Sequence, residues 1–326
     1  MIARIRKLFN PELFQGNLNR GNYFEGWYFK NVSPSLEEAV AFIPGVSISD
    51  YPHSFILYID GTTGETESFR YPLSQFTADP KKFRVTIGDS FFSRDEISLN
   101  IENERFNIEG SLKYRDHILF PRTLLTPGIM GWYSYVPGME CNHGVVSLNN
   151  TIGGVLSING TDTQFTGGKG YIEKDWGVSF PESHIWLQCN NFDRPDVSLM
   201  FSIAKIPWRG KFFMGLIGFL TQEGQTELFA SYNRSRVTTL KMLNDDETLL
   251  EVERGRRKLS VKIKKALSGV LAAPKMGSMT RSLKESISSE IDVEYRDKSG
   301  KITKLQGQRA GYEEDEKIFD YFPETI

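Results

Sequence analysis

Hydrophobic and polar positions alternate along most of this chain, with a period of two far more often than three or four. Runs such as "HSFILYID" (53–60), "FRVTIG" (83–88), "ISLNI" (97–101), "VSLMFSIAKI" (197–206), "KLSVKIK" (258–264) and "EIDVEY" (290–295) are short and rich in β-branched and aromatic residues. Successive side chains on a strand point to opposite faces, so each run predicts a strand. Asp60-Gly61, Asn159-Gly160, Glu223-Gly224 and Ser299-Gly300 supply turns between them, and Asn159-Gly160 has the best two-residue hairpin chemistry. Helical periodicity is confined to the first ten residues and part of 278–289. So many closely spaced strands predict an all-β chain built from closed or nearly closed antiparallel barrels.

The chain divides near residue 165, giving domains 1–165 and 166–326. "TGGKG" (166–170) is a flexible stretch, and a second aromatic-rich block follows it. "EGWYFKNV" near the start and "IWLQCNNF" in the second half read as equivalent first strands of two related barrels, a repeat that rests on one tryptophan.

Composition narrows the function. A length of 326 residues suits one large β domain or two of ordinary size, and a 13% aromatic share supplies the core. A net charge of −2 lacks the basic excess of a nucleic-acid binder. The four histidines show no HxH or HExxH spacing, so no metal is expected. No P-loop, GxGxxG or GxSxG element is present, which disfavours nucleotide and hydrolase chemistry. Cys141 and Cys189 imply no disulfide framework and fit a reducing compartment. The longest apolar run, "FFMGLIGFL" (212–220), is about half a membrane span. A cytoplasmic protein, peripheral to a membrane at most, is expected. The basic stretch "RGRRKLSVKIKK" (254–265) is either an anion or membrane patch, or a strand with Leu259, Val261 and Ile263 buried and one wet face.

Four stretches could carry chemistry. In "YFEGWYFKNV" (23–32), Glu25 shares a face with Tyr23, Trp27 and Phe29, and Tyr28 lies opposite. It is either a hydrogen-bonded structural carboxylate or an acid whose proton is retained in an apolar pocket. In "GYIEKDWGVSF" (170–180), Tyr171, Glu173 and Asp175 share one side, with Ile172, Lys174 and Trp176 on the other. Neighbouring carboxylates repel when both ionise, which is a route to a general acid; the bland reading is a charged loop neutralised by Lys174. In "SHIWLQCNNF" (183–192), Ile185, Leu187 and Cys189 predict a core face, and His184, Trp186, Gln188 and Asn190 a pocket-like one. "PGIMGWYSYVPGMECNHG" (127–144), with Trp132 and His143, is either a pocket rim or a packed loop.

Taken together, "FEGWYFK", "GW" at 131–132, "GYIEKDWGVSFPESHIWLQCNNF", "LIGF" (216–219) and "LAAP" (271–274) resemble the tocopherol cyclase family. The resemblance implies two lipocalin-like barrels, as in related carotenoid hydratase-like proteins. It implies closure of a prenylated quinol to a chromanol, without metal or redox cofactor, through protonation of an alkene and capture of the cation by the phenol oxygen. Motif for motif, it places acid or base roles at Glu25, Glu173 and Asp175, and substrate lining at Trp27, Tyr28, Trp176 and Trp186. The partner expected is a small hydrophobic isoprenoid. This sequence has Asp175 and Val178 where the plant-like pattern has Asn and Gly, and its tail is acidic. A carrier of a hydrophobic molecule, and a hydratase or isomerase on an isoprenoid alkene, are the competing readings.

Overall fold

The computed structural model describes residues 2–19 and 21–322, with side chains from residue 5 onward. The fold is all-β, as the alternation predicts. Two compact units are present. The first comprises Met1–Asp60, Glu65–Phe180 and Leu271–Ser282; the second comprises Gly61–Gly64, Pro181–Val270 and Leu283–Ile326. The strand Lys169–Gly177 lies beyond the division expected near 165, yet it is hydrogen-bonded within the sheet of the first unit.

In the first unit an antiparallel sheet curls into a nearly closed barrel. Its central run places Ala39–Ile48, Tyr23–Val32, Lys169–Gly177, Cys141–Ile158 and Asn107–Ile118 side by side. The inward face is a packed core that includes Trp27, Phe29, Phe42, Tyr58, Phe92 and Ile172. In the second unit, Ser198–Trp208, His184–Cys189, Ile302–Glu314, residues 283–296 of the strand Ser278–Arg296, and Arg257–Lys264 form the centre of another antiparallel sheet. Its core gathers Ile185, Leu187, Cys189, Phe201, Leu259, Val261 and Ile263.

The two proposed first strands are topologically equivalent. Tyr23–Val32 lies between the next strand of its sheet and the closing strand Lys169–Gly177, and His184–Cys189 lies likewise beside the closing strand Ile302–Glu314. The tryptophans that suggested the repeat are not equivalent, however. Trp27 faces the core, whereas Trp186 lies on the face opposite Ile185 and Leu187.

Local chemistry accounts for most elements. Asn159 and Gly160 both take positive φ, 51° and 79°, and close the expected hairpin. The basic stretch is a half-buried strand: Leu259, Val261 and Ile263 are buried, and Lys258, Lys262 and Lys264 pair with Glu251, Glu247 and Glu290 on the wet face. The N-terminal helix is present as Ile2–Leu8. The second expected helix is not. Residues 278–289 belong to the strand Ser278–Arg296, because Leu283, Glu285, Ile287, Ser289, Ile291, Val293 and Tyr295 are buried at alternate positions. No helix among the described residues is long and apolar enough to cross a membrane.

Residues 271–282 complete the first unit through its backbone. Phe180 N–H donates to Pro274 O (3.1 Å), Gly277 N–H to Val178 O (2.6 Å), and Ser47 Oγ to Gly277 O (2.7 Å). Gly277 has φ +78°, and a Cβ there would lie 2.4 Å from the Tyr23 nitrogen, so only glycine fits this turn.

The barrel core also contains an ion pair. Glu25 and Lys174, both fully buried, meet inside it. The Glu25 carboxylate also accepts from Gln15 N–H (2.8 Å), Gly16 N–H (2.9 Å) and the Tyr23 hydroxyl. Lys174 Nζ donates to Pro11 O (2.8 Å) and Leu13 O (2.5 Å), and lies over the rings of Trp27 (4.5 Å) and Trp176 (5.1 Å). Trp27 Nε1 donates to Glu12 O (2.8 Å). The segment 11–16 is therefore strapped to the barrel through its own backbone. Burial pulls the Lys174 ammonium down to about 8, against the pull of Glu25. Lys174→Met strands a buried carboxylate and is expected to cost about 3–5 kcal/mol in urea unfolding. Glu25→Gln combined with Lys174→Met should cost clearly less than the two single changes added together. Simple additivity would mean that the pair is not coupled.

Candidate functional site

The alternation of Lys169–Gly177 sends Lys174 and Trp176 inward and Tyr171, Glu173 and Asp175 to the other face. In the ladder, His143 stands directly opposite Asp175, Val145 opposite Glu173, and Tyr28 opposite Glu173 on the other side. Directly paired side chains share a face, so His143 and Tyr28 join the carboxylates. His143 Nδ1 lies 2.9 Å from Asp175 Oδ1, and Nε2 lies 3.3 Å from Glu173 Oε2 but off the line of a good hydrogen bond. The Tyr171 hydroxyl donates to Glu173 Oε2 at 2.6 Å.

Electrostatics fix the state of this cluster. Burial alone would lower the His143 pKa, but Asp175 and then Glu173 carry it well above 6.5. Burial, reinforced by Glu173, keeps the Tyr171 phenol protonated and able to donate. The imidazole of His143 lies between two acidic side chains, with the Tyr171 phenol donating to one of them. The expected repulsion between Glu173 and Asp175 is thus relieved by His143, not by Lys174, which serves Glu25 on the opposite face.

His143 is only 9% exposed and lines a pocket of about 290 Å³ within the first unit. Trp176, Tyr23, Met130 and Met139 share that lining, as do Lys7, Pro11 and Gln15 from the N-terminal segment. The volume is close to the lower end for small-ligand sites, roughly 300 Å³. His143, Glu173 and Asp175 each offer one ligand atom, all within 4.8 Å of one another. A divalent cation could be held there only if His143 released its bond to Asp175; as arranged, the imidazolium fills that place.

The remaining expected site residues fall elsewhere. Glu25 is fully buried, bonded by the strap and Lys174, and is not among the residues that line the His143 pocket. Trp27 is core, stacked on Phe83 (5.9 Å between centroids), and is not among the residues that line the His143 pocket. Trp132 is 45% exposed and stacked on Tyr133 (4.2 Å); its loop lines the pocket through Gly128, Met130, Ser134, Val136 and Met139 instead. His184, Trp186, Gln188 and Asn190 are buried on one face of their strand in the second unit, where His184 Nε2 pairs with Glu313 and Gln188 Nε2 donates to Asn190 Oδ1 (3.2 Å). Sequence reasoning missed Lys174 and Tyr171 as named participants, although the alternation had already assigned their faces.

A family model described as tocopherol cyclase-like matches residues 120–313, more than half of the chain. The chain belongs to the tocopherol cyclase-like family. The matched span of this tocopherol cyclase-like protein includes His143, Tyr171, Glu173, Asp175 and Trp176, and begins well after "FEGWYFK". No curated protein matches it significantly. Among solved structures, CghA is similar in fold, with TM-score 0.56 at 12% identity, covering 90% of this chain and 88% of that one. CghA with Sch210972 gives TM-score 0.55 at 10% identity over the same shares. Kievitone hydratase from Nectria haematococca gives TM-score 0.49 at 9% identity, again over 90% and 88%.

The His143 cluster in this tocopherol cyclase-like chain sets a pH dependence. Its folded pKa lies above its unfolded value of about 6.5, so the stability it contributes is complete below that pH. It is lost as pH rises through the folded pKa. In NMR titrations the His143 ring should read as imidazolium at pH 7.5. Asp175→Asn should lower its pKa more than Glu173→Gln does. A His143 pKa at or below the ordinary range would remove the bridging imidazolium.

Proposed function

We propose that this chain is an acid–base enzyme that closes a prenylated quinol to a chromanol. The observation that carries the reading is the buried cluster of His143 with Glu173 and Asp175, in which His143 is also one of the residues lining a pocket; Trp176, on the other face of its strand, lines the same pocket. Membership of a tocopherol cyclase-like family supports this reaction class. A proton taken up by the cluster rests on a carboxyl next to an imidazolium, which stabilises the carboxylate left behind when the proton is passed on. The alkene π bond takes that proton and forms a C–H bond. A tertiary cation results, and the phenol oxygen closes on it. The phenolic proton returns to the cluster, so the product has the mass of the substrate and no cofactor is consumed.

Aromatic faces stabilise a nearby cation by about 0.5–2 kcal/mol each, which makes Trp176 the natural neighbour of the developing charge. Tyr28 and Tyr171 then act as positioning residues beside Glu173. Glu25 keeps its structural role. The pocket accommodates the ring and first isoprene unit, and its methionines offer adaptable apolar contact.

Incubation with a prenylated benzoquinol should give a chromanol of unchanged mass, and activity should survive chelation by EDTA. His143→Gln and Asp175→Asn should each lower kcat by about a hundredfold or more with the fold intact, whereas Glu25→Gln should lower stability more than kcat. A product heavier by one water would make the protein a hydratase. Tight binding without turnover would make it a carrier. Wild-type kcat in both His143→Gln and Asp175→Asn would remove the mechanism.

A further inference from the structure

A second and larger cleft of about 610 Å³ lies in the first unit and shares no lining residue with the His143 pocket. The N-terminal segment separates the two. Lys7, Leu8, Pro11 and Gln15 line the His143 pocket, and Arg6, Asn10, Glu12 and Leu13 line the cleft. Seven of the lining residues are Lys or Arg and three are Asp or Glu, on a chain whose net charge is −2.

The three acids do not neutralise that excess. Glu12 is taken by Arg122 (3.3 Å), and Asp95 by Arg94 (3.0 Å) with His117 alongside (3.4 Å). Glu96 is the third. Asp79, next to the cleft, turns its carboxylate to the backbone N–H groups of Lys81 (2.7 Å) and Lys82 (3.0 Å). Among the described residues, the side chains of Lys81, Lys82, Arg84, Lys113 and Arg115 have no carboxylate oxygen within 4 Å, and all five are exposed. Like charges held this close repel one another, and an anion relieves that repulsion.

The floor beneath them is aromatic. Phe83 stacks between Trp27 (5.9 Å) and Phe29 (6.0 Å) at the edge of the barrel core, and Arg84 lies 5.2 Å over the ring of Phe91. Leu13, which is buried, adds to the apolar side. A ring of cations above an apolar floor matches a molecule with an anionic head and an apolar chain. We propose that this cleft binds the phosphate or carboxylate head of a single-chain amphiphile, whose first carbons lie against Phe83 and Phe91. The site is independent of the acid–base reading.

Dodecyl phosphate, below its micelle-forming concentration, is the probe. Calorimetry should show binding that weakens with added salt, and that falls by about tenfold for each change in Lys113→Glu and Arg115→Glu. Both residues are exposed, so unchanged melting temperatures and unchanged turnover of the quinol should accompany the loss. Dodecanol and inorganic phosphate alone should each bind more weakly than the ester. A parallel arm uses phosphatidylcholine vesicles with and without phosphatidic acid. Acid-dependent sedimentation that the same variants abolish assigns the head to a membrane lipid; ester binding with no sedimentation assigns a soluble phosphate ester. Undiminished dodecyl phosphate binding in the double variant overturns the proposal, and inorganic phosphate binding as tightly as the ester overturns its apolar half.

Discussion

An ion pair in the dry interior of a barrel, Glu25 with Lys174, organises the first unit. Removing two charges from water costs several kcal/mol per ion, and mutual attraction alone seldom recovers it. Here the balance is restored by hydrogen bonds. Two backbone N–H groups and a phenol satisfy the carboxylate, two backbone carbonyls satisfy the ammonium, and two indole faces flank it. Every one of those backbone groups belongs to residues 11–16. The pair's desolvation is therefore tied to a chain segment with little regular structure of its own, and that segment becomes a wall for two separate cavities.

The same strand, Lys169–Gly177, presents opposite chemistry on its two faces. Inward, a single ammonium is matched to a single carboxylate and fully coordinated. Outward, one imidazole is shared by two acidic side chains with one phenol in support, so acids outnumber the base. A closed set of bonds is suited to holding structure, and an unbalanced set to moving a proton. Alternation at period two allows both within six residues.

The sequence made faces legible and left partners obscure. Ile185, Leu187 and Cys189 could be assigned to a core, Tyr171, Glu173 and Asp175 to one side, and Leu259, Val261 and Ile263 to the dry face of a strand, because alternation is local. The carbonyls that Lys174 reaches, at residues 11 and 13, and the aspartate that His143 faces, 32 positions along the chain, depend on strand register, which no local pattern encodes. Trp132 misled because an aromatic in a Gly- and Pro-rich loop carries no sign of which way it points. The segment 278–289 misled because serines and a glutamate at alternate positions hide a buried face that Ile291, Val293 and Tyr295 then continue openly. The basic cleft escaped notice for a related reason: its cations come from the N-terminal helix and from residues between 81 and 115, and the whole-chain charge averages them away.

The backbone bonds from Phe180 and Gly277 have a consequence for biosynthesis. Residues 271–282 close the first unit, yet the ribosome delivers them only after most of the second has left the exit tunnel. At ordinary rates of about 5–20 residues per second, the hundred or so residues after Phe180 take roughly 5–20 s to emerge. During that interval Ser47 Oγ and the carbonyl of Val178 await their partners. The nascent chain thus passes through a stage in which all the strands of the first barrel are available but the segment that later bonds to its edge is not, when a chaperone or an early protease would meet it most readily.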